Sequence, residues 1–257
     1  MEAIYKKARA KINLSLEVTG KREDNYHTLN SVFQKINFYD ELYIRKTKSD
    51  GIVILSNVEA LNNQDNIIAK AYDTLKEKYK TITGVEVKLN KRIPMQAGLA
   101  GGSTDCASFI VGMDQLFSLK MTQKEKEDVG KSLGADVVPC FYKQAIKAEG
   151  IGDIVTPIDT NCKYYLVILK PSMACNTKEM YQKIDERKPI NQKGNTEKVI
   201  QGLEKNQIRE VTDYLHNVFE EVIEEKETIQ KMKEELRKQG ALRKLNDRFW
   251  FLCLWYL

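Results

Sequence analysis

One short stretch constrains this chain more than any other: Pro94-Met-Gln-Ala-Gly-Leu-Ala-Gly-Gly-Ser-Thr104. It sets Gly98, Gly101, Gly102 and the hydroxyl pair Ser103 and Thr104 directly ahead of Cys106 to Phe117, an apolar run that reads as a buried helix. Glycine lets the backbone turn tightly and approach a ligand without a Cβ in the way. A helix starting near Ser103 points its free N–H groups and the positive end of its dipole into the loop, which suits a phosphate. The segment before it, Val85 to Ile93, alternates like a half-buried strand. Strand, glycine loop and helix is the local expectation. The loop matches neither the P-loop nor the dinucleotide pattern, and a tight strand-to-helix connection also accounts for it.

Composition narrows the class. The 257 residues suffice for one large or two moderate cores, and 30% charged with 42% apolar residues fits a globular chain. The net charge of +5 is spread along the chain with no basic block, which excludes a nucleic-acid arm and favours anionic small substrates only weakly. Cys106, Cys140, Cys162, Cys175 and Cys253 show no metal-ligand spacing. An odd number of thiols without a signal-peptide pattern reads as reduced and cytoplasmic. No stretch reaches transmembrane length, so neither a membrane nor a nucleic acid is expected as a partner.

Periodicity predicts strands over Ala8–Thr19, Glu41–Arg45, Gly51–Ser56 and Lys163–Lys170. It predicts a helix over Asn66–Tyr79, and another from an N-cap at Thr122 through Leu133, closed by Gly134. Beyond Thr196 the chain is mostly charged and helical, and Phe219–Gln239 reads as a solvated amphipathic helix. Strands and helices intermix without regular βαβ alternation, which predicts an α+β fold.

Three further segments carry chemistry. Ala10-Lys-Ile-Asn-Leu14 puts Lys11 and Asn13 on one face of a strand, where a buried ammonium is costly unless paired; an ordinary edge lysine is the plainer alternative. The polar turn from Gly20 ends in Tyr26-His27, an aromatic beside a hydrogen-bonding ring, which suits a base, although a lone histidine is more often structural. Gly134-Ala-Asp-Val-Val-Pro139 places Asp136 after a helix-ending glycine, where alone it reads as a cap or turn residue.

Together and in order, these segments are more specific. They are joined by Asp24-Asn-Tyr-His-Thr-Leu29 with Ser31 and Gln34, Leu133-Gly-Ala-Asp-Val137 and Ala148-Glu-Gly-Ile-Gly152. Lys170-Pro171 and Leu215-His-Asn-Val-Phe-Glu220 complete the set. The chain resembles the GHMP kinase superfamily from about Ala8 to Leu242. Within it, the Lys11/Asn13 strand and the Tyr26-His27 pair resemble the branch that phosphorylates 4-diphosphocytidyl-2-C-methyl-D-erythritol in non-mevalonate isoprenoid biosynthesis. The resemblance implies a two-domain α+β GHMP kinase fold. Residues 1–156 would form the ATP-binding domain, with a mixed sheet, helices and the phosphate loop; residues 157–257 would form a ferredoxin-like α+β domain.

The same resemblance implies ATP and Mg²⁺, a cytidyl diphosphate sugar alcohol as substrate, and a monomer or homodimer. Asp136 would be the catalytic base that takes the proton of the tertiary 2-hydroxyl, with Lys11 beside it stabilising developing negative charge. Pro94, Met95, Gln96, Ala97, Gly98, Leu99, Ala100, Gly101, Gly102, Ser103 and Thr104 would wrap the ATP phosphates. Ser103 or Thr104 would contact Mg²⁺. Tyr26 and Tyr181 would stack on the cytosine, His27 would bond its edge, and Asn13 would hold the erythritol end. Other members of the superfamily, acting on mevalonate or homoserine, are the alternative, as is a nucleotide-binding protein without turnover.

The chain departs from the family pattern in places. Asn25 replaces a glycine, which asparagine can do because it tolerates the left-handed region. The proline after Asp136 is displaced to Pro139, and Lys143-Gln144 stands where a glycine pair is expected. After Gln239-Gly-Ala-Leu242, the tail Asn246–Leu257 replaces a second glycine motif. Tryptophan has one codon, so Trp250-Phe251 and Trp255-Tyr256 each force a glycine when the bases are read one position later, at the spacing of the missing motif. The expectation is a reading-frame shift that leaves the second domain incomplete and the activity weak or absent. A genuine apolar strand is the alternative. A tail with neither charge nor breaker aggregates unless it takes the place of the lost strand.

Overall fold

Alternating side chains build two long strands, β1 (Ala3–Lys21) and β2 (His27–Lys46), hydrogen-bonded neighbours joined by a short polar turn. In that turn Asp24 accepts from the Tyr26 N–H at 3.2 Å and Asn25 sits at φ 65°, the left-handed geometry its side chain tolerates. The computed structural model describes residues 2–169, 177–187, 195–223, 226–239, 243–247 and 250–255. After β2 come β3 (Ile52–Ser56), α1 (Ile67–Lys78), β4 (Val85–Asn90), α2 (Gly101–Phe117) and α3 (Gln123–Leu133). A 3-10 segment (Ala135–Phe141), β5 (Ile146–Glu149), β6 (Ile154–Pro157) and β7 (Tyr165–Leu169) follow. The remainder is α4 (Thr177–Glu186), α5 (Thr196–Glu204), α6 (Ile208–Asp213), β8 (His216–Asn217), α7 (Lys226–Lys238), β9 (Arg243–Asp247) and β10 (Trp250–Trp255).

By contacts the chain divides into two units. The first holds residues 1–11, 35–95 and 99–143; the second holds 12–34, 96–98 and 144–257. In the first unit β4 is flanked by β3, in parallel with Ile54 opposite Val87, and by β2, antiparallel with Ile44 opposite Val87. Leu42, Ile44, Val85 and Val87 meet Ile68, Tyr72 and Leu75 of α1 and Phe109, Ile110 and Met113 of α2 in one core. The helix α1 forms where the sequence predicts it. Asn66 caps it by accepting from the Ile68 N–H at 2.9 Å, and Lys76 and Lys78 sit in its last turn, where the dipole favours cations. Thr122 and Glu125 form a reciprocal capping box on α3, and the Thr122 N–H and hydroxyl hold the Glu125 carboxyl down at about 2.

In the second unit β5 pairs with β2 and β6, and β8 pairs in parallel with β1, Ser15 opposite His216. Its core gathers Leu16, Leu29, Met180, Ile184, Phe219 and Leu236. A separate antiparallel sheet runs β7–β10–β9, with Cys253 opposite Val167 on one side and Lys244 on the other. Within the apolar tail, Trp250–Trp255 therefore forms a strand, and a central one. Lys170-Pro171 and residues 240–242 lie outside the described residues. Among the described residues no helix is long and apolar enough to cross a membrane, and Cys106, Cys140 and Cys162 are free thiols. Thr122→Ala removes an N-cap and should lower stability by about 1 kcal/mol. Urea unfolding checks this as a shifted midpoint at an unchanged slope.

Candidate active site

The glycine loop is shaped by three residues in the left-handed region, Gln96 (φ 53°), Gly98 (φ 69°) and Ala100 (φ 56°). Ala97 and Leu99 are buried, while Pro94, Met95 and Gln96 are exposed. Two bonds tie its far end to β1: Lys11 N–H donates to the Leu99 carbonyl at 3.1 Å, and the Thr104 hydroxyl donates to the Arg9 carbonyl at 2.8 Å. Thr104 is fully buried and its hydroxyl is committed to that bond, so of the two hydroxyls only Ser103, half-buried on the first turn of α2, remains suited to a metal. The glycines also divide. A Cβ on Gly101 would meet Ile93 Cγ2 at 3.1 Å and Lys91 Nζ at 3.2 Å, whereas one on Gly102 would meet nothing within 4 Å. Gly101 is small because of what lies behind the loop, and Gly102 is the one that opens onto free space.

Lys11 is buried on β1, and Asp136 is half-buried on the 3-10 segment that follows Gly134. The Cys140 thiol donates to the Asp136 carbonyl at 3.2 Å and feels Lys35, Asp136 and Lys11 electrostatically. Burial dominates there and pushes the thiol up to about 11. Lys35 donates to the Cys140 carbonyl at 2.5 Å, and burial pulls its ammonium below the usual lysine range. Lys11 and Asp136 thus share one electrostatic neighbourhood, with Lys35 fastening the segment that carries the acid.

In the second unit Asn13 is buried on β1, Tyr26 is 61% exposed, and His27 is buried. The His27 ring stacks on Tyr181 with centroids 4.6 Å apart and planes 10° from parallel, and Tyr181 meets Phe219 edge-on at 5.0 Å. His27 Nε2 lies 2.7 Å from Asp185 Oδ1, and Lys21 Nζ lies 2.6 Å from Asp185 Oδ2. Lys21 and His27 together hold the Asp185 carboxyl below the usual range. A carboxylate accepts, so Nε2 donates to Asp185, and in the tautomer with its proton there Nδ1 is an acceptor.

Residues 66–144 match the family described as GHMP kinases N terminal domain. The chain is 41% identical over 246 residues to the 4-diphosphocytidyl-2-C-methyl-D-erythritol kinase of Thermoanaerobacter pseudethanolicus, covering 94% of this chain and 83% of that protein. It is 36% identical over 244 residues to the protein of the same name from Alkaliphilus metalliredigens, covering 94% and 84%. The chain belongs to the 4-diphosphocytidyl-2-C-methyl-D-erythritol kinase family. In fold it resembles a crystal structure of 4-(cytidine 5'-diphospho)-2C-methyl-D-erythritol kinase, with a TM-score of 0.82 over 98% of this chain and 90% of that one, at 23% identity.

Several neighbours of the predicted site residues carry no sequence motif of their own. Asp185 lies on α4 four residues after Tyr181, and that helical spacing was its only signal. Lys35 sits within the Ser31–Gln34 motif's own strand, one residue beyond it. Asp40, Lys91 and Asp105 meet beneath the loop. Among the described residues no group of three His, Cys, Asp or Glu side chains is placed to cage a metal. Thr104→Val should leave the Arg9 carbonyl unsatisfied and lower stability by about 1–3 kcal/mol. Urea unfolding without ligand measures that loss, and Thr104→Ser should recover most of it.

Proposed function

We propose that this chain transfers the γ-phosphoryl group of ATP to the 2-hydroxyl of 4-diphosphocytidyl-2-C-methyl-D-erythritol, a step of isoprenoid biosynthesis in the cytoplasm, acting as a monomer or homodimer. Family membership supports the reaction class. The observation that carries the substrate is the His27 ring, stacked on Tyr181 and fixed by Asp185 beside the exposed Tyr26. An oriented ring acceptor and free aromatic surface suit a cytosine, with its amine donor and π-faces; mevalonate and homoserine have neither. Asn13, buried on the strand that carries Lys11, is assigned to the erythritol end. We retain residues 1–156 and 157–257 as the two functional halves.

In this reading Asp136 accepts the hydroxyl proton as the alcohol oxygen bonds to the γ-phosphorus and the bond to the ADP oxygen breaks. Lys11 offsets the negative charge that builds on the attacking oxygen and the transferring group. The loop from Pro94 to Thr104 receives the phosphates, with Gly102 leaving the space they need. Mg²⁺ fits a site of this kind because it keeps water and phosphate oxygens as most of its ligands and needs little from the protein. Ser103 is the side chain suited to it, and the ion's chemistry is to neutralise phosphate charge. The strand β10 stands where the second glycine motif is expected, so we propose a reading-frame shift over residues 246–257 and weak or absent turnover. Coding DNA that fails to spell the glycine motif one base later overturns that proposal.

ADP release with the cytidyl substrate, mevalonate and homoserine in parallel tests the function. Turnover with the first alone is expected, rising when the frame is repaired. Turnover with another alcohol would reassign the substrate, and ATP binding without turnover after frame repair would leave a nucleotide-binding protein. Lys11→Ala and Asp136→Asn should each lower kcat by orders of magnitude while ATP still binds, with a combined loss far short of multiplicative. Tyr26→Ala should raise the substrate KM at least several-fold, in line with about 1–3 kcal/mol for base–aromatic stacking. Asp185→Asn should raise the same KM and leave the ATP KM unchanged, because it frees the His27 ring to turn and to change tautomer.

A further inference from the structure

Behind the glycine loop lies a buried charge cluster to which nothing above assigns a task. Lys91 stands three residues before Pro94, Asp105 is the fifth residue of α2 and Asp40 lies on β2. Their side chains are 5%, 4% and 0% exposed. Lys91 Nζ lies 2.7 Å from Asp105 Oδ2 and also donates to Asp40 Oδ2. The other Asp40 oxygen accepts from the Arg92 N–H at 2.5 Å and the Ile93 N–H at 2.7 Å. The Lys91 peptide pairs both ways with the Asn57 amide, at 2.7 and 3.0 Å. Residues 91–93 are thus held by their backbone, and one ammonium joins them to the helix that begins where the loop ends.

Stability alone does not account for such a cluster. Burying charges is costly, and well-packed apolar residues of similar volume usually stabilise a fold as well or better. A buried ion cluster does fix geometry, because displaced charges find no other partner in the interior. Its placement closes the stem of the loop: Pro94 to Ala100 leaves from residues held by Asp40 and returns to the helix that carries Asp105. Gly101 completes the arrangement, since a Cβ there would meet Ile93 Cγ2 at 3.1 Å and the ammonium at 3.2 Å. The charge balance also matters to an anion site. Two carboxylates against one ammonium leave an excess negative charge below the loop, which burial relieves by pushing the Asp105 carboxyl up to about 8 while Lys91 pulls the other way. The neighbouring Asp40 carboxylate acts in the same direction as burial.

We propose that Lys91, Asp40 and Asp105 are positioning residues that close the stem of the phosphate loop, and that Gly101 is glycine in order to admit the Ile93 side chain and the Lys91 ammonium behind it. The proposal rests on the reading of the loop as the ATP-phosphate site, and its test separates the two. Amide hydrogen exchange is followed by mass spectrometry in the ligand-free full chain, comparing the peptide over 94–104 with one in α3. Lys91→Met should speed exchange in the loop by about tenfold with α3 unchanged, the pattern of local opening. Gly101→Ala, which keeps every charge, should act in the same direction. Asp105→Asn, which keeps the shape and an acceptor for Lys91, should stay within about twofold of the parent, while Asp105→Ala should not. The ATP KM should rise about tenfold in Lys91→Met with the alcohol KM held within about twofold. Unchanged loop exchange in folded Lys91→Met and Gly101→Ala, or equal acceleration in α3, overturns the proposal. If ATP fails to protect the loop in the parent protein while Lys91→Met still loosens it, the stem stands and the nucleotide reading falls.

Discussion

The bond from the Thr104 hydroxyl to the Arg9 carbonyl, with its companion from Lys11 N–H to the Leu99 carbonyl, is the constraint on which the rest of the first unit turns. Both join the same short piece of β1 to the same end of the glycine loop. The strand that carries the candidate catalytic lysine therefore sets where the first turn of α2 begins. Phosphoryl transfer depends on placement more than on covalent participation by the protein, and small displacements of reacting groups are costly. Backbone bonds through buried atoms are a stiff way to impose such placement, because an unmade bond in the interior leaves a polar group without solvent.

Charge is arranged with similar economy. Lys11 and Lys35 face the segment that carries Asp136, and the Cys140 thiol lies among them, kept protonated by burial. Its neutrality spares Asp136 a competing anion. In the second unit Asp185 answers two cationic or donor groups at once, Lys21 and His27, so the carboxylate is held from both sides and the imidazole inherits a defined orientation.

Much of this was legible in the sequence because it is local. Thr122 as the cap of α3 and the left-handed Asn25 both act within a few residues of themselves, so their types and spacing carry the information. The glycine loop was legible as a loop. The division of labour inside it was not. Whether Thr104 or Ser103 turns inward depends on the rotational phase of α2 against β1, and whether Gly101 or Gly102 must lack a Cβ depends on where the Ile93 and Lys91 side chains lie against α2. Asp40 is more than sixty residues from Asp105 in the chain, and no periodicity links them. The apolar tail posed a different difficulty. Its composition admits a strand only as the alternative to a frame shift, and the place of Trp250–Trp255 between β7 and β9 follows from pairing partners that no short window contains.

The turn between β1 and β2 looks, by exposure and polarity, like a convenient point to graft a peptide or insert a label. Its length is nevertheless tied to the faces of both strands, because side chains alternate and a shift of one residue in the pairing reverses which of them point inward. An added residue after Asn25 that slipped β2 against β1 would turn His27 and Leu29 away from Tyr181 and the apolar cluster around it. Engineering of this molecule should leave that turn at its native length and place insertions elsewhere.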